Sequence, residues 1–282
     1  MPAKIIDGKK IADSILGKLK DKIKNSRQKP GLAIVLVGSN PASEIYVNSK
    51  EKSFEDVGGY CERHDLNEGI SEIDLLNLLN SLNNNPKIHG ILVQLPLPKQ
   101  IDENLVTNSI SPHKDVDGFT SVNLGHLFSE NTILAPATAR AVLHLIESTD
   151  IKIEGKNAVV VGRSNIVGKP VAMMLLEKNA TVTICHSKTK NLVEHTKKAD
   201  ILVAAAGKPK LIKKEMVKEG AVVIDVGINR VDGRIIGDVD FENVKEVAGF
   251  ITPVPGGVGP MTIAMLMENT LKAMELENKI KS

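Results

Sequence analysis

Ile11, Ile15, Leu19 and Ile23 recur at steps of four with lysines between them, the period of an amphipathic helix. Leu32 to Val37 then runs apolar without a break up to Gly38, the pattern of a strand buried on both faces. Residues 41–57 read as a helix that starts near Pro41 and ends at Gly58-Gly59. A short strand is expected at 60–66, a helix at 71–82 and a strand at 88–94. Strands alternating with helices in this way imply a parallel sheet with crossover helices. Gln94-Leu95-Pro96-Leu97-Pro98 ends the last of these strands, because proline cannot donate to a ladder.

Residues 111–120 form a polar, turn-rich passage, the natural place for the chain to cross between domains. Beyond it the alternation restarts, with strands expected at 157–161, 181–185, 201–205 and 221–226, and helical segments between the first three. A helix is also expected at 139–148. Asp232-Gly233 is a hairpin-type signal. Pro253 to Pro260 reads as a loop, followed by a helix carrying Ile263, Leu266, Met267, Leu271 and Met274 on one face. The pattern predicts an α/β fold of two α/β domains with a cleft between them, the second Rossmann-like. Residues 1–119 make the first domain, 120–261 the second, and the terminal helix 262–282 returns to the first.

Composition narrows the function classes. With 282 residues, 42% hydrophobic and 25% charged, the chain is an ordinary globular one rather than disordered or fibrous. Thirty-six Lys and Arg against 34 Asp and Glu leave +2, no field for nucleic acid. Five Phe, two Tyr and no Trp, all scattered, offer no stacking surface either. No apolar run approaches the roughly eighteen residues of a membrane span, and the N-terminus turns polar too early for a secretory signal. Cys61 and Cys185 are far apart, so neither a disulfide framework nor a zinc site is expected, and the seven dispersed histidines support no metal. These features place the protein among soluble, cytoplasmic ones.

Candidate chemistry falls in three places. Val161-Gly162-Arg163-Ser164, with Gly168 further on, joins a buried strand to a helix through a glycine turn, where backbone N–H groups can meet a pyrophosphate. The spacing is not the usual Gly-x-Gly-x-x-Gly, and by itself it reads equally well as an ordinary tight turn. The next strand ends at Cys185-His186-Ser187-Lys188-Thr189, where such folds meet the adenosine ribose. Hydroxyls and a lysine there, with Arg163 in the turn, suit a 2′-phosphate and favour NADP over NAD. Tyr46 and Lys50 are four apart on a helix and share a face. A solvated lysine beside a half-buried tyrosine is the commoner reading of such a pair. Here, however, the pair follows a strand end, and Gln94 closes another strand of the same domain. A lysine partly desolvated there has its charged form disfavoured, which suits acid/base work. Asp115 and Asp117 alternate in Lys114-Asp115-Val116-Asp117-Gly118-Phe119, which puts both carboxylates on one side of an extended strand. Without further ligands at metal spacing, a carboxylate there suits the donor edge of an aminopyrimidine.

Taken together, these segments resemble the bifunctional methylenetetrahydrofolate dehydrogenase/methenyltetrahydrofolate cyclohydrolases. The resemblance covers essentially the whole chain. It rests on Tyr46-x-x-x-Lys50, Gly90 to Pro98, Lys114 to Phe119, Gly162-Arg163-Ser164-x-x-Val167-Gly168-x-Pro170 and Pro253 to Thr262. It implies that Lys50 is the catalytic lysine, that Tyr46 lines and stacks on the folate, that Gln94 tunes the lysine, and that Asp117 holds the pterin edge. Leu95, Pro96, Pro255, Gly256 and Gly257 join these residues as substrate-binding. It implies cofactor contacts from Gly162, Arg163, Ser164, Ser187, Ile228, Thr138, Gly259 and Thr262, with NADP as the cofactor, no metal, and a homodimer. One segment departs. Where the family has Pro-Cys-Thr-Pro-x-Gly, this chain has Pro136-Ala137-Thr138-Ala139-Arg140-Ala141. Losing the glycine and second proline is expected to reshape the loop into the next helix. The competing readings are a monofunctional dehydrogenase, a shikimate-type dehydrogenase, and a non-catalytic NADP/folate sensor.

Overall fold

The structure, a computed structural model, describes residues 2–281. In chain order the elements are β1 (Lys4–Ile5), α1 (Gly8–Lys24), β2 (Gly31–Val37), α2 (Pro41–Asp56), β3 (Tyr60–Leu66), α3 (Glu72–Asn84), β4 (Gly90–Val93), α4 (Glu103–Ser109) and α5 (Ser121–Phe128). Then follow α6 (Ala137–Glu147), β5 (Asn157–Val161), α7 (Gly168–Glu177), β6 (Thr181–Cys185), α8 (Leu192–Thr196), β7 (Ile201–Ala204) and β8 (Val222–Asp225). The hairpin β9 (Asn229–Val231) and β10 (Arg234–Ile236) precedes α9 (Phe241–Val244), β11 (Phe250–Ile251) and α10 (Val258–Lys281). The chain divides into two compact units: Met1–Asp13 with Thr138–Thr262, and Ser14–Ala137 with Ile263–Ser282.

In the unit of Ser14–Ala137, β2 lies between β3 and β4, all parallel, with Leu32 opposite Cys61 on one side and Gly90 on the other. All seven residues of β2 are buried, which explains its unbroken apolar run. On the edge strand β3, Glu62, Arg63 and Asp65 supply the charge that discourages edge-to-edge pairing. Ile91 bridges in parallel to Asp115, so the chain returns beside β4 at residues 114–116. Leu75, Leu79 and Leu82 of α3 pack with Ala33, Val35, Ile91 and Val93 in one core. From α10, Asn269 donates to the carbonyls of Val116 (2.7 Å) and Ala135 (2.9 Å) and so fastens the 116 and 135 segments.

The other unit holds a six-stranded sheet in the order β1-β11-β8-β7-β5-β6, every pairing parallel. From β5 the chain steps to β6 on one side and returns to β7 on the other, the doubly wound plan. Its core joins Val159, Val161, Leu202, Ala204 and Val223.

Three features were not legible in the pattern. β1 and β11 are two residues each, too short for any periodicity, and β1 carries the chain's first residues into the six-stranded sheet. The helices α4 and α5 span seven and eight residues, and each begins at a side-chain cap. Asp102 accepts from the N–H groups of Asn104 and Leu105, and Thr120 from that of Asn123. Finally, α10 starts at Val258, inside the expected loop. Pro260 occupies its first turn, where a missing N–H costs no hydrogen bond.

Candidate functional site

At the β2/β4 reversal, three elements bring their side chains together. α2 follows β2 and presents Lys50; Tyr46, half-buried, precedes it by one turn. Gln94 continues β4 by donating its N–H to the Val35 carbonyl. The Lys50 ammonium donates to Gln94 Oε1 at 3.1 Å, and the Gln94 amide donates to the Leu95 carbonyl at 2.7 Å. That second bond fixes which end of the carboxamide faces the lysine. Burial holds the Lys50 pKa below the ordinary lysine value, against the opposing pull of Asp117. Burial pushes Asp117 up, with Lys50 working against that shift and Asp115 adding to it. Leu95 is half-buried and Pro96 exposed beyond the strand end.

Asp115 and Asp117 are not twin carboxylates on one face of a strand. After the single bridge at Asp115 the chain turns, and Gly118 takes φ +73°. Asp115 Oδ1 accepts from the N–H groups of Gly118 (2.9 Å) and Phe119 (3.2 Å), while Oδ2 accepts from Thr120 N–H (2.8 Å) and Asn123 Nδ2 (2.9 Å). Its acceptor capacity is spent inside its own loop, and that loop sets Asp117 near Lys50. A Cβ on Gly118 would lie 2.6 Å from the Pro136 nitrogen, so only glycine fits this turn.

In the other unit, the β5/β7 reversal holds a backbone turn. Gly162 has φ +144°, and a Cβ there would lie 2.1 Å from the Ala205 carbonyl oxygen at the end of β7. A Cβ on Gly168 would lie 2.3 Å from the Gly162 carbonyl oxygen. Ser164 Oγ accepts from the N–H groups of Val167 (3.1 Å) and Gly168 (3.3 Å), which shapes the first turn of α7. Gly162 N–H donates to the Cys185 carbonyl (2.9 Å), so the turn sits beside the end of β6, where Ser187 is exposed. Arg163 is exposed in the same turn, and Ile228 lies in the segment after β8 with 48% of its surface exposed.

Residues 6–117 match the tetrahydrofolate dehydrogenase/cyclohydrolase catalytic domain, and residues 136–278 match the NAD(P)-binding domain of the same family. The chain belongs to the tetrahydrofolate dehydrogenase/cyclohydrolase family. It is 55% identical over 279 residues to the bifunctional protein FolD of Nitrosospira multiformis, covering 98% of this chain and 97% of that one. The crystal structure of the bifunctional enzyme FolD, a methylenetetrahydrofolate dehydrogenase/cyclohydrolase from Campylobacter jejuni, superposes with a TM-score of 0.95. The two are 48% identical, and the match covers 98% of this chain and 99% of that one. The Trypanosoma brucei dehydrogenase-cyclohydrolase, solved with NADP cofactor and inhibitor, gives 0.95 at 37% identity and 99% coverage of both chains.

The remaining expected residues of this tetrahydrofolate dehydrogenase/cyclohydrolase lie in the unit of Thr138–Thr262. Lys9 N–H donates to the Gly256 carbonyl at 3.0 Å, and a Cβ on Gly8 would meet the Gly257 carbonyl at 2.0 Å. Gly256 and Gly257 thus pack on the first turn of α1. Gly259 and Thr262 fall in the first turns of α10, and Thr262 Oγ1 donates to the Val258 carbonyl. Thr138 sits in the first turn of α6. In the departing segment α6 begins at Ala137, and Ala137, Ala139 and Ala141 are all buried in it. Sequence reasoning missed the loop-holding roles of Asp115, Asn123 and Asn269. Only the Asp-x-x-Gly spacing of Asp115 and Gly118 hints at a side chain closing its own turn.

Proposed function

We propose that this chain oxidises 5,10-methylenetetrahydrofolate to 5,10-methenyltetrahydrofolate with NADP⁺ and then hydrolyses that product to 10-formyltetrahydrofolate. Family membership supports the pair of reactions. The observation that carries the chemistry is the Lys50 amine, partly desolvated and held 3.1 Å from Gln94 Oε1. Lowering a lysine pKa raises the share of free amine near neutral pH, as a general base requires.

In the hydrolytic step Lys50 takes a proton from water as the oxygen bonds to the methenyl carbon. It returns that proton to N5 as the C–N5 bond breaks, while the carbinol proton leaves to solvent and the carbonyl forms. Gln94 keeps the amine aimed, and Asp117 accepts from the aminopyrimidine edge of the pterin. Tyr46 stacks on the folate, with Leu95 and Pro96 beside it.

NADP⁺, when bound, supplies the hydride acceptor for the oxidation. The Gly162 turn fits it: the turn leads into α7 at the reversal of strand order where such ligands bind, and Arg163 and Ser164 are exposed in it. Gly162, Arg163 and Ser164 would hold the diphosphate, and Arg163 and Ser187 the 2′-phosphate. Ile228, Thr138, Gly259 and Thr262 would line the nicotinamide side. The protein's contribution to the oxidation is alignment, which supplies on the order of 7–11 kcal/mol in well-oriented reactions. Both cysteines are free, and we place the enzyme in the cytoplasm. On the family resemblance we propose a homodimer, which sedimentation velocity would test.

A coupled assay with NADP⁺ and 5,10-methylenetetrahydrofolate tests the proposal. NADPH formation without methenyl build-up, with methenyl recovered on acidification, is the expected result. NADPH with accumulating methenyl would reduce the protein to a dehydrogenase. No NADPH, with NAD⁺ also failing, would leave the sensor reading.

A further inference from the structure

Behind the exposed Ile228 segment lie two buried carboxylates that the reaction above does not use. Asp238 is 0% exposed and Asp225 is 3% exposed. Asp238 Oδ2 accepts from the N–H groups of Ala206 (2.6 Å) and Gly207 (2.8 Å), and Oδ1 accepts from Lys208 N–H (2.9 Å) and Asn229 Nδ2 (2.9 Å). Three successive N–H groups make an anion nest of the kind that elsewhere holds phosphate, and here the chain fills it with its own carboxylate. Asp225 Oδ1 accepts from the N–H groups of Gly227 and Asp238 (2.9 Å each), and Oδ2 accepts from Val239 N–H (2.9 Å). Asp225 N–H in turn donates to Thr252 Oγ1 at 2.8 Å. Glycines make room: a Cβ on Gly237 would lie 1.8 Å from Asp225 Oδ2, and one on Gly227 2.3 Å from Asp238 Oδ1.

The two carboxylates bind together two segments at the carboxyl end of the sheet. One is residues 205–208 after β7, whose Ala205 carbonyl closes over Gly162; the other is residues 226–229 after β8, which carry Ile228. Burying two carboxylates side by side costs solvation, and burial accordingly pushes Asp225 up to about 6. A neutral amide could not satisfy the same donors, because one end of it is itself a donor.

We propose that Asp225 and Asp238 are positioning residues for NADP, holding the 205–208 and 226–229 segments in the conformation that the cofactor requires. The proposal rests on the reading of the Gly162 turn as the NADP site. Asp238→Asn keeps one acceptor end and turns a donor on at least one of the N–H groups. It is expected to weaken NADPH binding about tenfold in a fluorescence titration of the full-length protein, which corresponds to about 1.4 kcal/mol. KM for NADP⁺ rises in step, while KM for 5,10-methylenetetrahydrofolate and cofactor-free hydrolysis of methenyl substrate stay at parent values. A folded Asp238→Asn protein with parent NADPH affinity would overturn the proposal.

If that variant fails to fold, Gly207→Ala decides. Gly207 has φ +63° with open space around it, so alanine strains the nest without touching either carboxylate. A several-fold weaker NADPH affinity supports the proposal, and an unchanged one overturns it. Arg163→Ala separates the two levels. If it weakens NADPH binding and the Asp238 variant does not, positioning alone is wrong. If it binds NADPH like the parent, the cofactor-site reading falls and the proposal with it.

Discussion

In the unit of Ser14–Ala137 the strand order reverses at β2, and the reversal delivers side chains: Lys50 from the helix after β2, Gln94 from the end of β4, Asp117 from the chain beside β4. In the unit of Thr138–Thr262 the order reverses at β5, and the reversal delivers backbone: a glycine turn closed by the Ala205 carbonyl and shaped by Ser164. The topology is the same and the chemistry is opposite. Proton transfer needs a titratable group whose pKa the surroundings can move. The glycine turn needs its backbone drawn tight against the end of β7, where a Cβ on Gly162 would meet the Ala205 carbonyl. The first site is therefore broken by removing a functional group, and the second by adding a methyl.

The sharpest break is Lys50→Met, which should lower hydrolysis of methenyl substrate about a thousandfold, within the range of general acid/base contributions. NADPH affinity should be untouched, and a binding titration beside the hydrolysis assay checks both. Next comes Gly162→Ala, whose added carbon meets a backbone carbonyl at 2.1 Å on a φ of +144°. Strain of this kind, roughly 1–3 kcal/mol, should weaken NADPH binding about tenfold or more, with hydrolysis per folded molecule unchanged.

Asp117→Asn sharpens the first site. Asp117 opposes the burial that lowers the Lys50 pKa, so removing its charge lowers that pKa further. Hydrolysis needs the free amine and rises with pH through that pKa, so the rising limb should move to lower pH. Folate KM should rise about tenfold as charge-assisted bonds to the pterin weaken. A pH–rate profile of variant and parent reads the limb directly. The smallest effect expected is from Ser164→Ala, which loses the acceptor for two N–H groups of the α7 turn. It should cost about 1 kcal/mol of stability by thermal unfolding and weaken NADPH binding a few-fold.

How far the sequence reached follows the same division. β2 and β5 were legible because a strand buried on both faces is an unbroken apolar run. Lys50 and Gln94 were legible because helical spacing and a proline stop put them at the same edge. Tertiary partners were not. In Lys114 to Phe119 only the Asp115-x-x-Gly118 spacing hints that the chain turns at Gly118 and consumes Asp115 in its own loop. Nothing near Asp238 announces donors that lie 30–32 residues earlier. Small, strong helix formers at 137–141 begin α6 at Ala137, two residues before the expected start at 139.

The most direct test of a side-chain site paired with a backbone site is the progress curve of Lys50→Met with NADP⁺ and 5,10-methylenetetrahydrofolate. The account predicts that NADPH still forms, that methenyltetrahydrofolate accumulates, and that acidification releases little more. Conversion to 10-formyltetrahydrofolate at the parent rate, or equal loss of both activities in a folded protein, would contradict it.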